Sequence, residues 1–461
     1  MKRREFLAAT GSAVGFGLVG GMGFAAVGKA QTFDLKLQRC DFRLRKEMTP
    51  DLVSLAPNAP PPVLKARQGE QVVLNVKNAL EEYTAMHWHG LRIPNDMDGV
   101  PYLTQYPIAQ GETFRYSFIP PDAGTYWYHP HCMTMTQMAR GLTGVLVIQE
   151  IEDPGFDTEQ VINLRDFRLD DEDHLLPPYS LRRAARAGTL GNVMTANWLI
   201  EPVYNHQSGS LVRLRIVNTD TTRIQRVYLE GGMSKSIAWD GHPLRIPMPA
   251  PNKNTPLVMG PGQRVDLAIV MPKSEGQSIT VFSRLASNDR VMATLVSEGT
   301  NLNRSLDELK PLAPNPVVVP DISSAEIHEF VFGWSPAGVA PKDGFCGSLG
   351  KTFWSINRVP WAGDAASGIG PLARLDLGKS YILRFRNESP NTHPIHLHGL
   401  AFIPLRSNKR KLLANWSDTM LLLKDEIVDV ALVADNLGDW AFHCHIIEHQ
   451  KTGLAGYIQV V

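Results

Sequence analysis

Hydrophobic and polar residues alternate along three short segments of the chain, and each segment ends in asparagine. The segments are 72–78 (VVLNVKN), 212–218 (VRLRIVN) and 381–387 (YILRFRN). Alternation with a period of two predicts a β-strand that buries one face. The segments begin 140 and 169 residues apart, which is longer than any solenoid repeat and suits tandem domains of one architecture.

These intervals predict three domains, at about residues 31–150, 155–305 and 320–461. Four prolines within residues 309–320 mark the predicted second linker. With 38 glycines and 33 prolines among 461 residues, the composition favours short strands and turns over long helices. The chain is therefore predicted to be an all-β protein whose domains share one fold.

The N-terminus has the features of an export signal. Basic residues at positions 2–4 and a mildly apolar stretch that ends at Val27 predict a signal peptide over residues 1–30. The adjacent arginines with Phe6 and Leu7 resemble the twin-arginine motif, with an ordinary secretory signal as the alternative. We therefore expect a periplasmic protein that is exported in the folded state.

Charge and cysteine content exclude several classes of protein. Without residues 1–30 the chain has 42 basic and 45 acidic residues, so no basic surface for nucleic acid is predicted. No later segment is apolar for long enough to cross a bilayer. The chain has only four cysteines, so the fold does not depend on a disulfide framework. The sequence leaves open whether Cys40 and Cys346 pair.

Histidine pairs occur at equivalent places in the first and third repeats. Nine residues after the terminal asparagine, the first repeat has HWHG (87–90) and the third has HLHG (396–399), whereas the second has VYL (227–229). Five residues after a glycine, HPH (129–131) and HCH (443–445) match in the same way. The outer domains are therefore predicted to carry equivalent sites, with the middle domain as a spacer.

Each His-x-His motif aims two imidazoles at one place, because residues i and i+2 of a strand share a face. One such motif is a weak signal, but four motifs at matching offsets in two copies of a repeat predict metal sites. The eight predicted ligands are His87, His89, His129, His131, His396, His398, His443 and His445. Four histidines without motif context are treated as ordinary surface or core residues, namely His174, His206, His242 and His328.

The HCH motif also contains Cys444, which strand alternation places on the face opposite His443 and His445. Together with His393 and His449, its thiolate makes up the ligand set of a blue copper electron-transfer centre. The short covalent path through Cys444 would join this centre to the histidine cluster. A buried free cysteine is the alternative, and zinc would leave the other histidines without a role.

Cys132 is a second candidate thiolate, because it follows His131 directly. Position 137, where a partner imidazole would be expected, is glutamine, and the first repeat has Pro130 in the position of Cys444. The blue centre is therefore predicted in the third domain alone.

Four motifs of this chain, HWHG, HPH, HPxHxHG and HCHxxxH, resemble those of multicopper oxidases, and the resemblance extends over nearly all of the chain after the export signal. It implies three tandem cupredoxin-like Greek-key β-sandwich domains and four copper ions. A type 1 copper would be held by His393, Cys444 and His449, and a type 2 copper by His87 and His396. Two type 3 coppers would complete a trinuclear cluster between the first and third domains, held by His89, His129, His131, His398, His443 and His445.

The resemblance implies an oxidase that removes single electrons from a donor and uses four of them to reduce dioxygen to two waters. Cys444 would carry electrons from the type 1 copper to His443 and His445. Asp98, in the sequence DGVP, resembles the family's acidic residue near the trinuclear cluster, and a turn-forming role before glycine is the alternative. Gln450 stands where some relatives have an acid, so that position offers no second carboxylate for a proton relay.

Leu454, ten residues after Cys444, occupies the position of an axial methionine in many bacterial relatives. A hydrocarbon side chain cannot donate to copper, so the resemblance implies a relatively high type 1 potential, as in laccases with a non-coordinating axial residue. Leu454 is therefore included among the residues that shape the copper site.

The chain lacks the long methionine-rich insertion that periplasmic cuprous oxidases of this family carry in the third domain, which favours laccase-like oxidation of phenols or similar small donors. A cuprous oxidase that acts in copper tolerance is the alternative. Met133, Met135 and Met138 with Cys132 form a small group of soft ligands that suits Cu(I), although methionines that pack a loop are the preferred interpretation.

Two other classes fit the sequence less well. Copper-free relatives that act as structural partners in cell division lack the ligands that this chain retains. Two-domain nitrite reductases carry the blue-site motif in the first domain, whereas this chain has it in the third. An enzyme that uses dioxygen and a small electron donor is therefore the leading interpretation.

Overall fold

The computed structural model describes residues 30–461 except 287, 337–345, 347–348, 362 and 364–369. The predicted export signal, residues 1–30, lies outside the described residues apart from Ala30. Strands dominate the described chain, and no helix in it is long and apolar enough to cross a bilayer. The prediction of an all-β protein is confirmed. The α-helices in the described ranges are α1 (Thr134–Ala139), α2 (Leu181–Ala184) and α3 (Ile447–Lys451), and two 3-10 turns cover Asn95–Met97 and Leu306–Glu308.

The first part of the chain folds into a β-sandwich. Its strands are β1 (Gln31–Phe42), β2 (Thr49–Ser54), β3 (Leu64–Arg67), β4 (Val72–Asn78), β5 (Met86–His89), β6 (Thr113–Phe118), β7 (Gly124–Pro130) and β8 (Gly144–Gln149). They form two sheets, in the orders β2-β1-β4-β6 and β3-β8-β7-β5. A hydrophobic core contains residues of both sheets, such as Leu74 of β4 and Trp88 of β5. This shared core is what the alternating pattern of the strands predicts.

The middle part forms a second sandwich. Its strands are β9 (Thr158–Phe167), β10 (Val193–Ala196), β11 (Val203–Gln207), β12 (Leu211–Asn218), β13 (Gln225–Glu230), β14 (Met233–Trp239), β15 (His242–Pro249), β16 (Leu257–Met259), β17 (Arg264–Val270), β18 (Ser278–Arg284) and β19 (Asp289–Glu298). The sheet orders are β10-β9-β12-β17-β14-β15 and β11-β19-β18-β13-β16. One buried cluster again joins both sheets, for example through Leu214 of β12 and Val281 of β18.

The last part forms a third sandwich. Its strands are β20 (Glu326–Trp334), β21 (Trp354–Ile356), β22 (Ala373–Leu375), β23 (Ser380–Asn387), β24 (His393–Leu397), β25 (Ile403–Ser407), β26 (Thr419–Leu422), β27 (Ile427–Val433), β28 (Gly438–Cys444) and β29 (Ala455–Val460). The sheet orders are β21-β20-β23-β27-β25 and β22-β29-β28-β24-β26. Its core includes Phe385 of β23 and Phe442 of β28.

The three sequence repeats occupy the same place in the three sandwiches. β4, β12 and β23 each pair in parallel with the first strand of their sandwich and antiparallel with a second partner. The side-chain amide of Asn78 donates to the carbonyl oxygens of Glu82 and Ile108, both at 2.9 Å. Asn218 and Asn387 make equivalent pairs of bonds. The repeated asparagine therefore ties the turn after each strand to a neighbouring loop.

The first and third sandwiches contact each other directly. The side-chain amide of Asn95 donates to the carbonyl oxygen of Asp439 at 2.7 Å. Arg92 forms ion pairs with Asp122 of its own sandwich and with Asp435 of the third, at 2.8 and 2.7 Å. This contact places the histidine-bearing strands of the two outer sandwiches at a common interface.

Candidate metal centres

Two antiparallel strands hold the histidines of the first sandwich. β5 pairs with β7 so that His87 lies opposite His129 and His89 lies opposite Trp127. His131 follows directly after β7, and all four histidines are buried. Because side chains alternate along a strand, His87 and His89 lie on one face of β5.

The third sandwich repeats this arrangement. β24 pairs with β28 so that His396 lies opposite His443. This pairing matches that of His87 with His129 in the first sandwich. The equivalence predicted from the offsets of the motifs is therefore present in the strand register itself.

Histidines from the two outer sandwiches converge into three groups, in each of which one ligand atom per residue lies within 4.8 Å of the others. Rings from different sandwiches stack, with centroids 3.8 Å apart for His87 and His398 and 3.7 Å apart for His89 and His396. All eight imidazoles of the sequence motifs take part. The groups are His87, His89 and His396, then His89, His129 and His445, and finally His131, His398 and His443.

Hydrogen bonds fix the protonation of several rings. Nδ1 of His87 lies 2.8 Å from the carbonyl oxygen of Asp98, and Nδ1 of His396 lies 2.9 Å from that of Asp418. A carbonyl oxygen only accepts, so each of these Nδ1 atoms carries the proton. Nε2 of both rings, and of His129, is buried with no hydrogen-bond partner among the described residues. Such a nitrogen is costly to bury unless it binds a metal.

Burial lowers the pKa of several imidazoles in the cluster. Desolvation, together with repulsion by neighbouring imidazoles, holds the pKa of His129, His131 and His398 well below the usual value of 6.5. The same causes lower the pKa of His443 to about 3. Since a metal binds the neutral imidazole, the lowered pKa of these four rings favours metal binding.

Asp98 contacts one histidine of each outer sandwich. Its Oδ2 accepts a hydrogen bond of 2.8 Å from Nδ1 of His398, and its Oδ1 lies 3.3 Å from Nδ1 of His87. The carboxylate is buried. The turn requires Gly99, which has a φ of +84° and where an added Cβ would lie 1.9 Å from the carbonyl oxygen of Met86. Asp98 therefore combines a position in a turn with direct contact to two candidate ligands.

Asp418 is a second buried carboxylate at the cluster, and sequence analysis missed it. Its Oδ1 lies 3.1 Å from Nε2 of His89, and Arg264 donates to its two oxygens at 2.9 and 2.7 Å. Burial alone would raise the pKa of Asp418, but Arg264 and then His89 hold it well below its usual value. The charged carboxylate thus orients His89. It stands alone before β26, so no motif in the sequence marks it.

A smaller site lies within the third sandwich. Nδ1 of His393, Nδ1 of His449 and Sγ of Cys444 form a triangle with sides of 3.0, 3.6 and 3.7 Å. All three residues are fully buried. Metal–ligand bonds of about 2.0–2.3 Å span such a triangle, and a thiolate with two imidazoles is the ligand set of blue copper. The residues therefore fit a copper ion.

The outer ring nitrogens of this site bond to the protein. Nε2 of His393 lies 2.7 Å from the hydroxyl oxygen of Ser389, and Nε2 of His449 lies 2.7 Å from the carbonyl oxygen of Arg186. The carbonyl requires the proton of His449 to be on Nε2, which leaves Nδ1 free for a metal. Burial raises the pKa of the Cys444 thiol, so a bound cation is needed to stabilise the thiolate.

Cys444 connects the two sites. Its neighbours His443 and His445 belong to the histidine groups, whereas Cys444 belongs to the smaller site, as strand alternation predicts. Leu454 is buried in the same hydrophobic cluster as Cys444, and its carbonyl oxygen accepts a hydrogen bond of 3.0 Å from the Cys444 amide. The Leu454 side chain has no donor atom to offer a metal.

Cys132 is not a free thiol. It forms a disulfide with Cys346, 214 residues away, while Cys40 is a buried free cysteine. The pairing of Cys40 with Cys346, which the sequence left open, does not occur. Met135 and Met138 are buried in one apolar cluster, so these methionines pack the loop. The soft-ligand group considered for Cu(I) therefore lacks its thiol.

The other residues singled out in the sequence have ordinary contacts. Nε2 of Gln450 lies 3.4 Å from Nε2 of His131, so an amide stands beside the cluster at that position. His242 is buried next to Asn315, with 3.1 Å between Nδ1 and the amide nitrogen. None of the four histidines without motif context belongs to a candidate metal group in the described chain, namely His174, His206, His242 and His328.

Known proteins resemble this chain along most of its length. Two sequence profiles, both described as multicopper oxidase, match residues 38–153 and 351–461. A multicopper oxidase from Pseudomonas thermotolerans, solved by crystallography, is 36% identical, with a TM-score of 0.85, and the match covers 94% of this chain and 100% of that one. Multicopper oxidase MmcO of Mycobacterium tuberculosis is 28% identical over 434 residues, which are 86% of this chain and 80% of its own. Laccase-1 of Botryotinia fuckeliana is 26% identical over 441 residues, which are 86% of this chain and 76% of its own.

These matches agree with the fold and with the converging histidines. The two matched segments are the outer sandwiches, which hold all of the candidate ligands. The prediction of a cupredoxin-like fold is confirmed. This chain belongs to the multicopper oxidase family, and it is a copper-dependent oxidoreductase that uses dioxygen.

Proposed function

We propose that this oxidase takes single electrons from phenols or similar small donors, as a laccase does, and uses four of them to reduce one dioxygen to two waters. The observation that carries the proposal is the position of Cys444 in the small site, directly between His443 and His445 of the histidine cluster. In this proposal electrons are taken up at the small site, and dioxygen is reduced at the histidine cluster. The similarity to Laccase-1 of Botryotinia fuckeliana supports the choice of donor.

We assign four copper ions to the sites that the motifs imply. His393, Cys444 and His449 would hold the type 1 copper, and His87 and His396 the type 2 copper. The groups that contain both His129 and His445, and both His398 and His443, support two type 3 coppers. Their ligands would be His89, His129, His131, His398, His443 and His445.

Bound copper would supply one-electron storage and an affinity for dioxygen, which protein side chains lack. The chain itself positions the ligands and handles protons. Asp98 accepts from Nδ1 of His398, which holds that ring with Nε2 toward His443, 3.0 Å away. Its carboxylate is also a group that can receive a proton at Oδ2 and release it during turnover. Cys444 is bonded through the backbone to His443 and to His445, so two short covalent paths would carry electrons from the small site to the histidine cluster.

A cuprous oxidase is the second candidate, and the contacts of the soft ligands weigh against it. Cys132 is in a disulfide, and Met135 and Met138 are buried, so these residues do not form an open Cu(I) site. We also propose a periplasmic location. The disulfide between Cys132 and Cys346 supports it, because such bonds persist in oxidising compartments.

We propose that the division into domains follows the sandwiches, at residues 31–150, 155–305 and 320–461. Each pair of sheets is drawn from one of these stretches without exchange of strands, which supports independent folding units. The middle stretch contributes none of the candidate ligands. Its proposed role is to hold the two outer domains at the correct separation.

The test is oxygen uptake by the copper-loaded enzyme, with 2,6-dimethoxyphenol and with Cu(I) measured side by side. A higher kcat/KM for the phenol supports the proposal, and a higher value for Cu(I) replaces it with the cuprous oxidase. Cys444→Ser should bind about three coppers instead of four, lose the blue colour and lose oxidation of both donors. Cys40→Ser, which removes the other buried thiol, is the matched control and should keep all three properties.

A further inference from the structure

The ligands of the small site are covered by the protein itself. His393 and His449 are both fully buried. The outer nitrogen of His393 bonds to Ser389, and that of His449 bonds to the Arg186 carbonyl. Arg186, an exposed residue, therefore contacts the buried His449 ring through its backbone carbonyl.

The segment that covers His449 comes from the middle sandwich. It comprises residues 180–188, includes α2, and is called the arginine cap below. The indole nitrogen of Trp354 donates to the carbonyl oxygen of Ala184 at 2.8 Å, which fastens the cap to the third sandwich. At Gly188 an added Cβ would lie 2.6 Å from Thr222 Cγ2 and 3.1 Å from Ile446 Cγ2. Because glycine leaves this space free, the cap lies directly against the segment between Cys444 and His449.

The outer face of the arginine cap carries positive charge. Arg182, Arg183 and Arg186 are exposed, and among the described residues none of their guanidinium groups forms an ion pair or a side-chain hydrogen bond. Three exposed positive charges within five positions attract anions, and a guanidinium binds carboxylate and sulfonate groups well. The backbone carbonyl of Arg186 contacts His449, and Arg182 and Arg183 lie within the same short segment, so the positive charge lies close to the small site.

We propose that electrons enter this oxidase through the arginine cap, which selects anionic one-electron donors such as carboxylated or sulfonated phenols. This inference rests on the proposed function, because it concerns the donor of the same reaction. In each step the docked donor loses one electron, which passes by way of the Arg186 peptide and His449 to the type 1 site. A phenol also releases its hydroxyl proton to solvent, and dioxygen is the final oxidant that accepts four electrons.

The experiment compares two outer-sphere donors of opposite charge, hexacyanoferrate(II) and the cation ferrocenylmethyl-trimethylammonium. Both deliver one electron without phenol chemistry. The test variant is R182Q/R183Q/R186Q of the holoenzyme, and folding is checked by copper content and blue colour. In the variant kcat/KM for the anion should fall about tenfold while that for the cation rises. Added salt should suppress oxidation of the anion in the wild type far more than in the variant.

The matched control is R226Q/K235Q/R245Q. It removes three exposed positive charges from β13, β14 and β15 of the middle sandwich, and both donors should keep their wild-type kcat/KM. Equal changes for the two donors, or no change in the cap variant, would overturn the inference. Failure to oxidise phenols, with charge selection between the two metal complexes retained, would instead contradict the proposed function alone.

Discussion

Nδ1 of His398 donates a hydrogen bond of 2.8 Å to Oδ2 of Asp98, although the two residues are 300 positions apart in the chain. Asp98 belongs to the first sandwich and His398 to the third, so one carboxylate orients rings on both sides of the interface. Its other oxygen lies 3.3 Å from His87. Removal of a carboxylate that bonds to a metal-binding histidine commonly changes metal affinity or activity by about 10- to 100-fold.

Asp98→Asn should therefore lower the rate of oxygen reduction by about 10- to 100-fold. The amide can still accept a hydrogen bond from His398, but it carries no charge and cannot take up a proton. When oxygen is absent, the donor should still reduce the blue centre at the wild-type rate, because that step occurs in the small site and not in the histidine cluster. Asp96→Asn, at an exposed position in the same turn, is the control and should leave turnover unchanged. Unchanged oxygen turnover in Asp98→Asn would remove Asp98 from the mechanism.

Asp418→Asn should destabilise the enzyme by about 3–5 kcal/mol, because it leaves the buried Arg264 guanidinium without its main counter-charge. Loss of the carboxylate also frees His89, so the copper content of the histidine groups should fall. Urea denaturation and copper analysis measure the two effects. In the control, Asp429→Asn, the lost partners are Arg384, which is half-buried, and Arg406, which is exposed. The expected cost is about 1 kcal/mol or less. An equal cost for both variants would contradict the role given to Asp418.

The local periodicity of the sequence explains why so much of the site could be predicted. Residues i and i+2 of a strand lie on one face, so HWHG and HCH each predict two imidazoles that point to the same place. The repeat predicts that these motifs lie in equivalent strands. Asp418 and the Arg186 carbonyl could not be found in this way. The first stands in no motif, and the second is a backbone atom whose role depends only on how the middle sandwich packs against the third.

The cysteines also show that local sequence patterns do not predict contacts between distant residues. Cys444 is identified by its flanking histidines, which are local. The partner of Cys132 lies 214 residues away, and nothing in the spacing distinguishes Cys346 from Cys40. Such pairing depends on the docking of the first sandwich against the third, which the sequence pattern does not encode locally.

Cys346→Ser should reduce the stability of the enzyme by about 2–4 kcal/mol, because the disulfide restricts the unfolded chain over a long loop. Denaturation in urea with and without a reductant measures this loss. The wild type should lose stability when reduced, whereas the variant should respond little. Cys40→Ser should behave as the wild type in both conditions. A reductant effect that persists in Cys346→Ser would show that another bond is responsible.

Leu454→Met should lower the reduction potential of the type 1 centre by tens of millivolts. Leu454 is fully buried in the cluster that contains Cys444, and its hydrocarbon side chain cannot stabilise the oxidised metal. A methionine of similar volume can bring a thioether to the copper, and such an axial donor favours the oxidised state. Redox titration of the blue colour measures the shift. Ile458→Met, a similar change on the same buried face of the third sandwich, should leave the potential unchanged. A potential in Leu454→Met equal to or above that of the wild type would contradict the axial position of this residue.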